Sequence, residues 1–505
     1  MSTAARISAR APAAELWEVR DQHLYFIGIG GCGVSGLARI LAQRGAACTG
    51  SDSTQTDVTE ALAESGIDVG FDQSKQWLPD ECDLVIHSAA IRPDHPQILE
   101  AERRGLTILT YAEALGRCML GRTAVALAGT HGKSTTTAML GSALVDAGLD
   151  PTVIVGATCA TLAEGNLTEP GVPVGCRLGA DQIPTGPMGG APGLLVAESC
   201  EFNRSFHNHR PTIASISAVE ADHLDIFGTL DAVVAAFADF AKLVSPADQG
   251  GKLLIAHEGA HRRTITAGVR CKVETIGFCP EADWVVSFDP TTRAITLCRR
   301  RSPVAAWTNT LPGVHNAMNS ATACALAIIL GADPDTTAKS LGVFGGLDRR
   351  CQFLGQRPVD GGVVRVWDDY GHHPTEIDST LRALREFEEP QRRGGRLICV
   401  FQPHQHSRTR FLLEEFACAF EHADVVIVPQ IYFVRDSEVE MHKISSADLV
   451  DRLRTRGVRA MHLYPFEAIV EQLENLCRPN DVVVTMGAGP VWQVGRGFMD
   501  AGFRG

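Results

Sequence analysis

The chain is short of the features that would direct it to a membrane, to export or onto a polyanion. No apolar stretch approaches the ~20 residues that a membrane helix needs, which argues against membrane insertion. Arg6 and Arg10 stand among alanines with no continuous apolar core behind them. No secretory signal is read there, and residues 1–20 are expected to form a loose extension. Positive charge is in deficit: 46 Lys and Arg against 59 Asp and Glu give a net charge of −13. That balance excludes a general nucleic-acid binder but not a nucleotide substrate, which needs only local cations. The 15 cysteines include no C-x-x-C pair, and many sit in apolar runs, as Cys324 and Cys399 do. Reduced, buried thiols in a cytoplasmic protein fit this scatter better than a disulfide framework or a zinc site. Cys200 and Cys351 lie beside candidate functional residues, and packing is the expected role for both.

Against these absences stands one dense run, Ala128-Gly129-Thr130-His131-Gly132-Lys133-Ser134-Thr135-Thr136-Thr137. It follows a strand-like apolar stretch, 123–128, and leads into a helix-like one, 138–147. Glycines let the backbone turn its N–H groups toward phosphate oxygens, and a helix N-terminus adds positive potential. Lys133 adds a full charge, and Ser134 offers a hydroxyl to Mg²⁺. Leu127 takes the place of the first glycine of a complete G-x-x-x-x-G-K-S/T loop, so the strand–turn–helix setting carries the reading. ATP is expected on Gly129, Thr130, His131, Gly132, Lys133, Ser134 and Thr135.

A length of 505 residues leaves room for about three domains, read here as 1–120, 121–345 and 346–505. The first opens with strand-like 23–27, then Gly28-Ile29-Gly30-Gly31-Cys32-Gly33, helix-like 37–44 and a second strand reaching Asp52. Such a β-turn-α-β unit presents N–H groups to a pyrophosphate, while the acid takes ribose hydroxyls; alone it reads as NAD binding. A third strand, 84–88, ends at Ser88. In the second domain, strand-like 193–198 ends in Glu198-Ser199-Cys200-Glu201, and 213–217 runs into Glu220-Ala221-Asp222-His223. Acids and an imidazole at the carboxyl ends of parallel strands sit where open α/β sheets hold ligands, and hard oxygens suit Mg²⁺. The stretch 171–192, rich in Gly and Pro, reads as a surface insertion without chemistry. Asn316 and Asn319 share one face at the start of a helix-like run, 320–330. They either cap it or meet an adenine edge, and capping is the preferred reading. The third domain brings three strand-like runs, each ending in a polar loop: Asp368-Asp369-Tyr370-Gly371-His372-His373-Pro374, Gln402-Pro403-His404-Gln405-His406-Ser407-Arg408-Thr409-Arg410 and Met486-Gly487-Ala488-Gly489-Pro490. Histidines 372, 373, 404, 406 and 422 show no zinc-site spacing.

In this order these motifs resemble the Mur ligases, and the pair formed by the Gly129–Thr135 and Asp368–Pro374 runs resembles the L-alanine-adding branch. The resemblance covers about residues 23–490. It implies an α/β fold of three domains: a Rossmann-like UDP-binding domain, a central P-loop-type ATPase domain with a mostly parallel sheet, and a C-terminal Rossmann-like ligase domain. It changes the ligand expected on Gly28, Gly30, Gly31, Gly33, Asp52 and Ser88 from NAD to the UDP of a substrate. The implied reaction is ATP-dependent ligation of L-alanine to UDP-N-acetylmuramate in peptidoglycan synthesis, through an acyl phosphate. By the same carry-over Lys133, Glu201, His223, His372 and Arg408 are catalytic, and Ser134, Glu201 and His223 hold Mg²⁺. Asn316 and Asn319 face adenine, Arg349 contacts the nucleotide and Asp369 its ribose. Tyr370, His372 and Arg408 line the amino-acid site, with Arg410 as the alternative clamp, and the third domain closes over the second. The sequence departs from the family pattern at Gly70-Phe71, Cys200, Gln405-His406 and Pro490. A related ligase adding another amino acid or a preformed peptide is therefore the competing expectation.

Overall fold

The computed structural model describes residues 16–163, 174–434, 436 and 438–500. The expectations for residues 1–15 and 171–173 lie outside them. Residues 16–20 are not loose: Val19 is buried in the first core, and Trp17 packs on it beneath Arg117.

Three sheets follow one another along the chain. The first has five strands, all parallel, in the order Asp68–Gly70, Ala47–Ser51, His23–Ile27, Leu84–His87, Thr107–Thr110. The chain reverses direction of travel across the sheet beside the first strand, at His23–Ile27. The Gly28–Gly33 loop therefore opens at the switch point, where such sheets bind ligands. The second has ten strands, with Thr123–Ala128 between Ile213–Ile216 and Leu194–Glu198. Seven central strands run parallel; Ala294–Arg299 and Ser302–Thr308 at one edge and Val174–Arg177 at the other are added antiparallel. The third has six strands, parallel except for the edge pair Gln352–Val359 and Gly362–Asp369. The innermost strands are apolar on both faces because helices cover both: every residue of Thr123–Ala128, Leu397–Phe401 and Val482–Met486 is buried.

Three sequence expectations need correcting. The stretch 171–192 is not simply a surface insertion, because Val174–Arg177 completes the central sheet and packs against helix Cys32–Gln43. The approach is close enough that a Cβ on Gly36 would lie 2.9 Å from Cys176 Cβ. The helix thought to begin near residue 320 spans Val314–Ile329, so Asn316 and Asn319 lie inside it and neither caps it. Asn316 Nδ2 instead donates to Pro312 O, and Asn319 Nδ2 to Asn316 Oδ1. Cys351 is buried as expected, whereas Cys200 is exposed. Among the described residues no helix is long and apolar enough to cross a membrane.

Candidate active site

The phosphate-type loop is built by the change from strand Thr123–Ala128 to helix Lys133–Asp146. Gly132 makes that change at φ +79, and a side chain there would also collide with the Asn319 carboxamide. No side chain caps this helix, which leaves its first amides available to an anion. Lys133 turns back over the loop: Nζ donates to Gly129 O (2.5 Å), Thr130 O (3.1 Å) and Glu201 Oε1 (3.2 Å). Burial works against its charge, but the Glu201 carboxylate, with Glu198, more than offsets it and raises the Lys133 pKa. The ammonium is thus held charged before any ligand arrives.

Glu201 follows strand Leu194–Glu198, and Asp222 and His223 follow strand Ile213–Ile216; these strands flank Thr123–Ala128, so the sheet brings all three to the phosphate-type loop from its two sides. Their ligand atoms lie within 4.8 Å of one another. Glu201 Oε2 is buried with the Lys133 ammonium 3.0 Å away. Two carboxylates and an imidazole beside a phosphate-type loop fit a Mg²⁺ that also takes phosphate oxygens. Asp222, which the sequence reading did not single out, accepts from Arg408 Nε (3.2 Å) and Nη2 (3.0 Å) across the domain boundary. Burial opposes its charge, yet Arg408, with His223, holds its carboxyl far below the usual range.

The C-terminal domain closes the other side. Thr375 Oγ1 donates to Glu220 Oε2 (2.6 Å), and His373 Nε2 lies 3.2 Å from Ala221 O. His131 Nδ1 and Nε2 lie 3.1 Å from Glu376 Oε1 and 3.3 Å from Glu220 Oε2. Burial alone would lower its pKa; the two carboxylates instead raise it to about 9. His372 is pushed down to about 4 by burial and is neutral. Between the domains lies a cleft of about 850 Å³, within the range of small-molecule sites.

The cleft gathers most of the expected residues onto its wall: Thr130 to Thr135, Glu201, His223, Asn316, Asn319, Arg349, Asp369, Tyr370, His372 and Arg408. Gly28, Gly30, Gly31, Gly33, Asp52 and Ser88 are not on that wall; the first domain reaches it through Cys32, Ala89 and Tyr111. Their loop still opens helix Cys32–Gln43, which carries no side-chain cap. Asp52 Oδ2 accepts from Gly30 N (2.8 Å), so this acid closes the loop on itself. Asp369 is likewise committed, accepting from Cys351 N (2.7 Å) and Gly371 N (2.8 Å), and burial raises its pKa to about 6. Arg410 is off the wall and paired with Glu440 (2.8 Å).

The two adjacent arginines divide in a way the sequence did not reveal. Arg349 is spent inside its own domain, on Asp368 Oδ2 and the carbonyls of Gly487 and Gly489. Both guanidinium groups lie over the Tyr370 ring, at 5.1 and 4.8 Å, but it is Arg350 whose Nη2 reaches across to Ser134 Oγ at 3.4 Å. The signal was its place after the Gly345-Gly346 turn, but a pair of arginines does not say which one faces inward.

Three family models cover most of the chain: "Mur ligase family, catalytic domain" over residues 23–123, "Mur ligase middle domain" over 127–327, and "Mur ligase, glutamate ligase domain" over 349–489. A UDP-N-acetylmuramate–L-alanine ligase of Agathobacter rectalis is 37% identical over 482 residues, covering 94% of this chain and 97% of the relative. One of the same name from Acetivibrio thermocellus is 34% identical over 484 residues, covering 95% and 96%. Among solved structures, UDP-N-acetylmuramate-alanine ligase of Thermotoga maritima superposes with a TM-score of 0.74 at 24% identity, covering 95% of this chain and 98% of that one.

Proposed function

This chain belongs to the Mur ligase family, and we propose that it forms the amide between L-alanine and the muramoyl carboxylate of UDP-N-acetylmuramate, driven by ATP, as a cytoplasmic step of peptidoglycan precursor synthesis. The observation that carries this reading is the meeting of the phosphate-type loop with the C-terminal arginines and histidines across one cleft. A carboxylate does not expel oxide, so amide formation needs an activated acyl group. A carboxylate oxygen of the substrate attacks the γ-phosphorus of ATP, ADP leaves, and an acyl phosphate remains. The amine of L-alanine then attacks the acyl carbon, and phosphate departs with the bridging oxygen.

In this reading the chain's own groups bind, orient and neutralise. Lys133, already charged, and Arg350, facing the same loop, offset negative charge growing on the transferred phosphoryl group. Asn316 and Asn319 offer amide groups to the base from the cleft wall. Ser134, Glu201 and His223, joined by Asp222, would hold Mg²⁺, which supplies further charge neutralisation on the phosphate oxygens. Tyr370, His372 and Arg408 line the amino-acid site. Arg408 has Nε and Nη2 on Asp222 and Nη1 near His404 Nδ1 (3.1 Å), so an incoming α-carboxylate exchanges with one of these partners. The functional division we assign is 1–120 for the UDP substrate, 121–345 for ATP and 346–505 for ligation. It is supported by one sheet falling within each span.

A related ligase taking another amino acid or a preformed peptide is the second reading, favoured by Gln405, which lines the cleft where an arginine was expected. One assay separates them. The purified protein is given ATP, Mg²⁺ and UDP-N-acetylmuramate with L-alanine, L-serine, glycine, D-glutamate or a tripeptide in turn, and both ADP and the amide are measured. The expected order is L-alanine first, with L-serine and glycine weaker, because a small pocket discriminates poorly against one methyl or hydroxyl. Preference for the tripeptide or D-glutamate would replace the first reading by the second.

A further inference from the structure

We propose that His131 is a positioning residue that couples seating of the C-terminal domain to the shape of the phosphate loop. The inference rests on the ATP-binding part of the preceding reading and concerns a side chain whose two ring nitrogens meet Glu376 and Glu220. The loop's only imidazole sits between two carboxylates that belong to different domains: Glu220 follows strand Ile213–Ile216, and Glu376 lies in the first turn of helix Pro374–Glu388. Each carboxylate has a second bond that fixes it. Glu220 accepts from Thr375 Oγ1, and Glu376 Oε2 accepts from His372 N (2.9 Å) and His373 N (3.2 Å). The backbone of His131 is tied as well, since Ser217 Oγ donates to its carbonyl at 2.6 Å.

Other groups around the ring leave this arrangement intact. His373, whose ring centroid is 5.0 Å away, is kept neutral chiefly by burial, and so is His315 on helix Val314–Ile329. Burial opposes the Glu376 charge, but His131 and the Arg350 guanidinium hold its carboxyl well below the usual range, and the neutral His372 contributes its backbone N–H. The imidazole is therefore the cation that two buried or half-buried acids share. With the C-terminal domain displaced, Glu376 would leave, and the ring would keep only Glu220. Loop geometry and domain seating thus report on one another through a single side chain.

The test is a double-mutant cycle on the full chain, with His131→Gln, Glu376→Gln and both together. The readout is calorimetric binding of Mg²⁺ and a non-hydrolysable ATP analogue. Glu376→Gln keeps a carbonyl for the His372 and His373 amides, so its fold should survive, and circular dichroism checks that. Each single variant is expected to weaken nucleotide binding by about 3- to 30-fold, and the double variant by no more than the worse single one. A Glu376→Gln protein that binds like wild type, or losses that multiply in the double variant, would overturn the coupling. Ligation of L-alanine by wild type is scored separately, so a failed functional reading stays distinguishable from a failed coupling.

Discussion

At the scale of single residues, the groups that serve the proposed chemistry are already spoken for. Lys133 is paired with Glu201 and covered, so Lys133→Ala removes a transition-state cation and strands a buried carboxylate. It is expected to lower turnover at least ~10²-fold and to cost roughly 3–5 kcal/mol of stability. Adding Glu201→Gln should recover the melting temperature without recovering activity; recovery of both would remove Lys133 from the mechanism. The arginine pair makes a sharper contrast. Arg350→Lys should cut kcat by about 10²-fold with little change in melting, whereas Arg349→Ala should unfold earlier because it strands Asp368 and two carbonyls. Equal kinetic losses in both would return the nucleotide role to Arg349. His131 sets a pH dependence. Its folded pKa, raised to about 9, stands above the ordinary 6.5, so the stability it adds is complete below 6.5 and lost as pH climbs through 9. The melting gap between wild type and His131→Gln is therefore widest below pH 6.5 and closes by about pH 10. A gap that stays constant would mean that the ring carries no charge between its two acids.

At the scale of elements, the sequence was clearest where a strand is covered on both faces. Thr123–Ala128 and His23–Ile27 form unbroken apolar runs followed by a glycine turn, and their bounds are those the periodicity predicts. The strands toward one end of the central sheet were harder: Trp284–Phe288, Ala294–Arg299 and Ser302–Thr308 mix exposed and buried positions, and the sequence reading placed no strand there. Val174–Arg177 was hidden by its Gly- and Pro-rich surroundings, although burial against the first domain is what gives it a place. The candidate site was legible as a set of motifs because most of them close a strand. Its partners were not: which carboxylate meets Arg408, and which arginine reaches Ser134, depends on how two domains face each other. The Gly36 contact offers an element-scale test. Gly36→Val pushes helix Cys32–Gln43 off Cys176, at a cost of about 1–3 kcal/mol. Binding of UDP-N-acetylmuramate should weaken in calorimetric titration while nucleotide binding holds. An unchanged affinity for the UDP-sugar would separate that helix from the substrate site.

At the scale of the whole molecule, three sheets follow one another along the chain, and the chemistry proposed for it lies in the cleft that their domains share. The central domain supplies the phosphate loop and the acids, and the C-terminal domain supplies Arg350, Arg408 and the neutral His372. The first domain reaches the cleft through Cys32, Ala89, Tyr111 and Ala112. Seating the C-terminal domain through Asp222–Arg408, Glu220–Thr375 and His131–Glu376 encloses the cleft, and enclosure is what protects an acyl phosphate from water. The central claim is that this intermediate forms. UDP-N-acetylmuramate carrying ¹⁸O in both oxygens of its muramoyl carboxylate, incubated with the protein, ATP, Mg²⁺ and L-alanine, tests it directly by mass spectrometry of the released phosphate. The account predicts one ¹⁸O in each phosphate released, one retained in the amide carbonyl and none in ADP. Amide formed with unlabelled phosphate would contradict it.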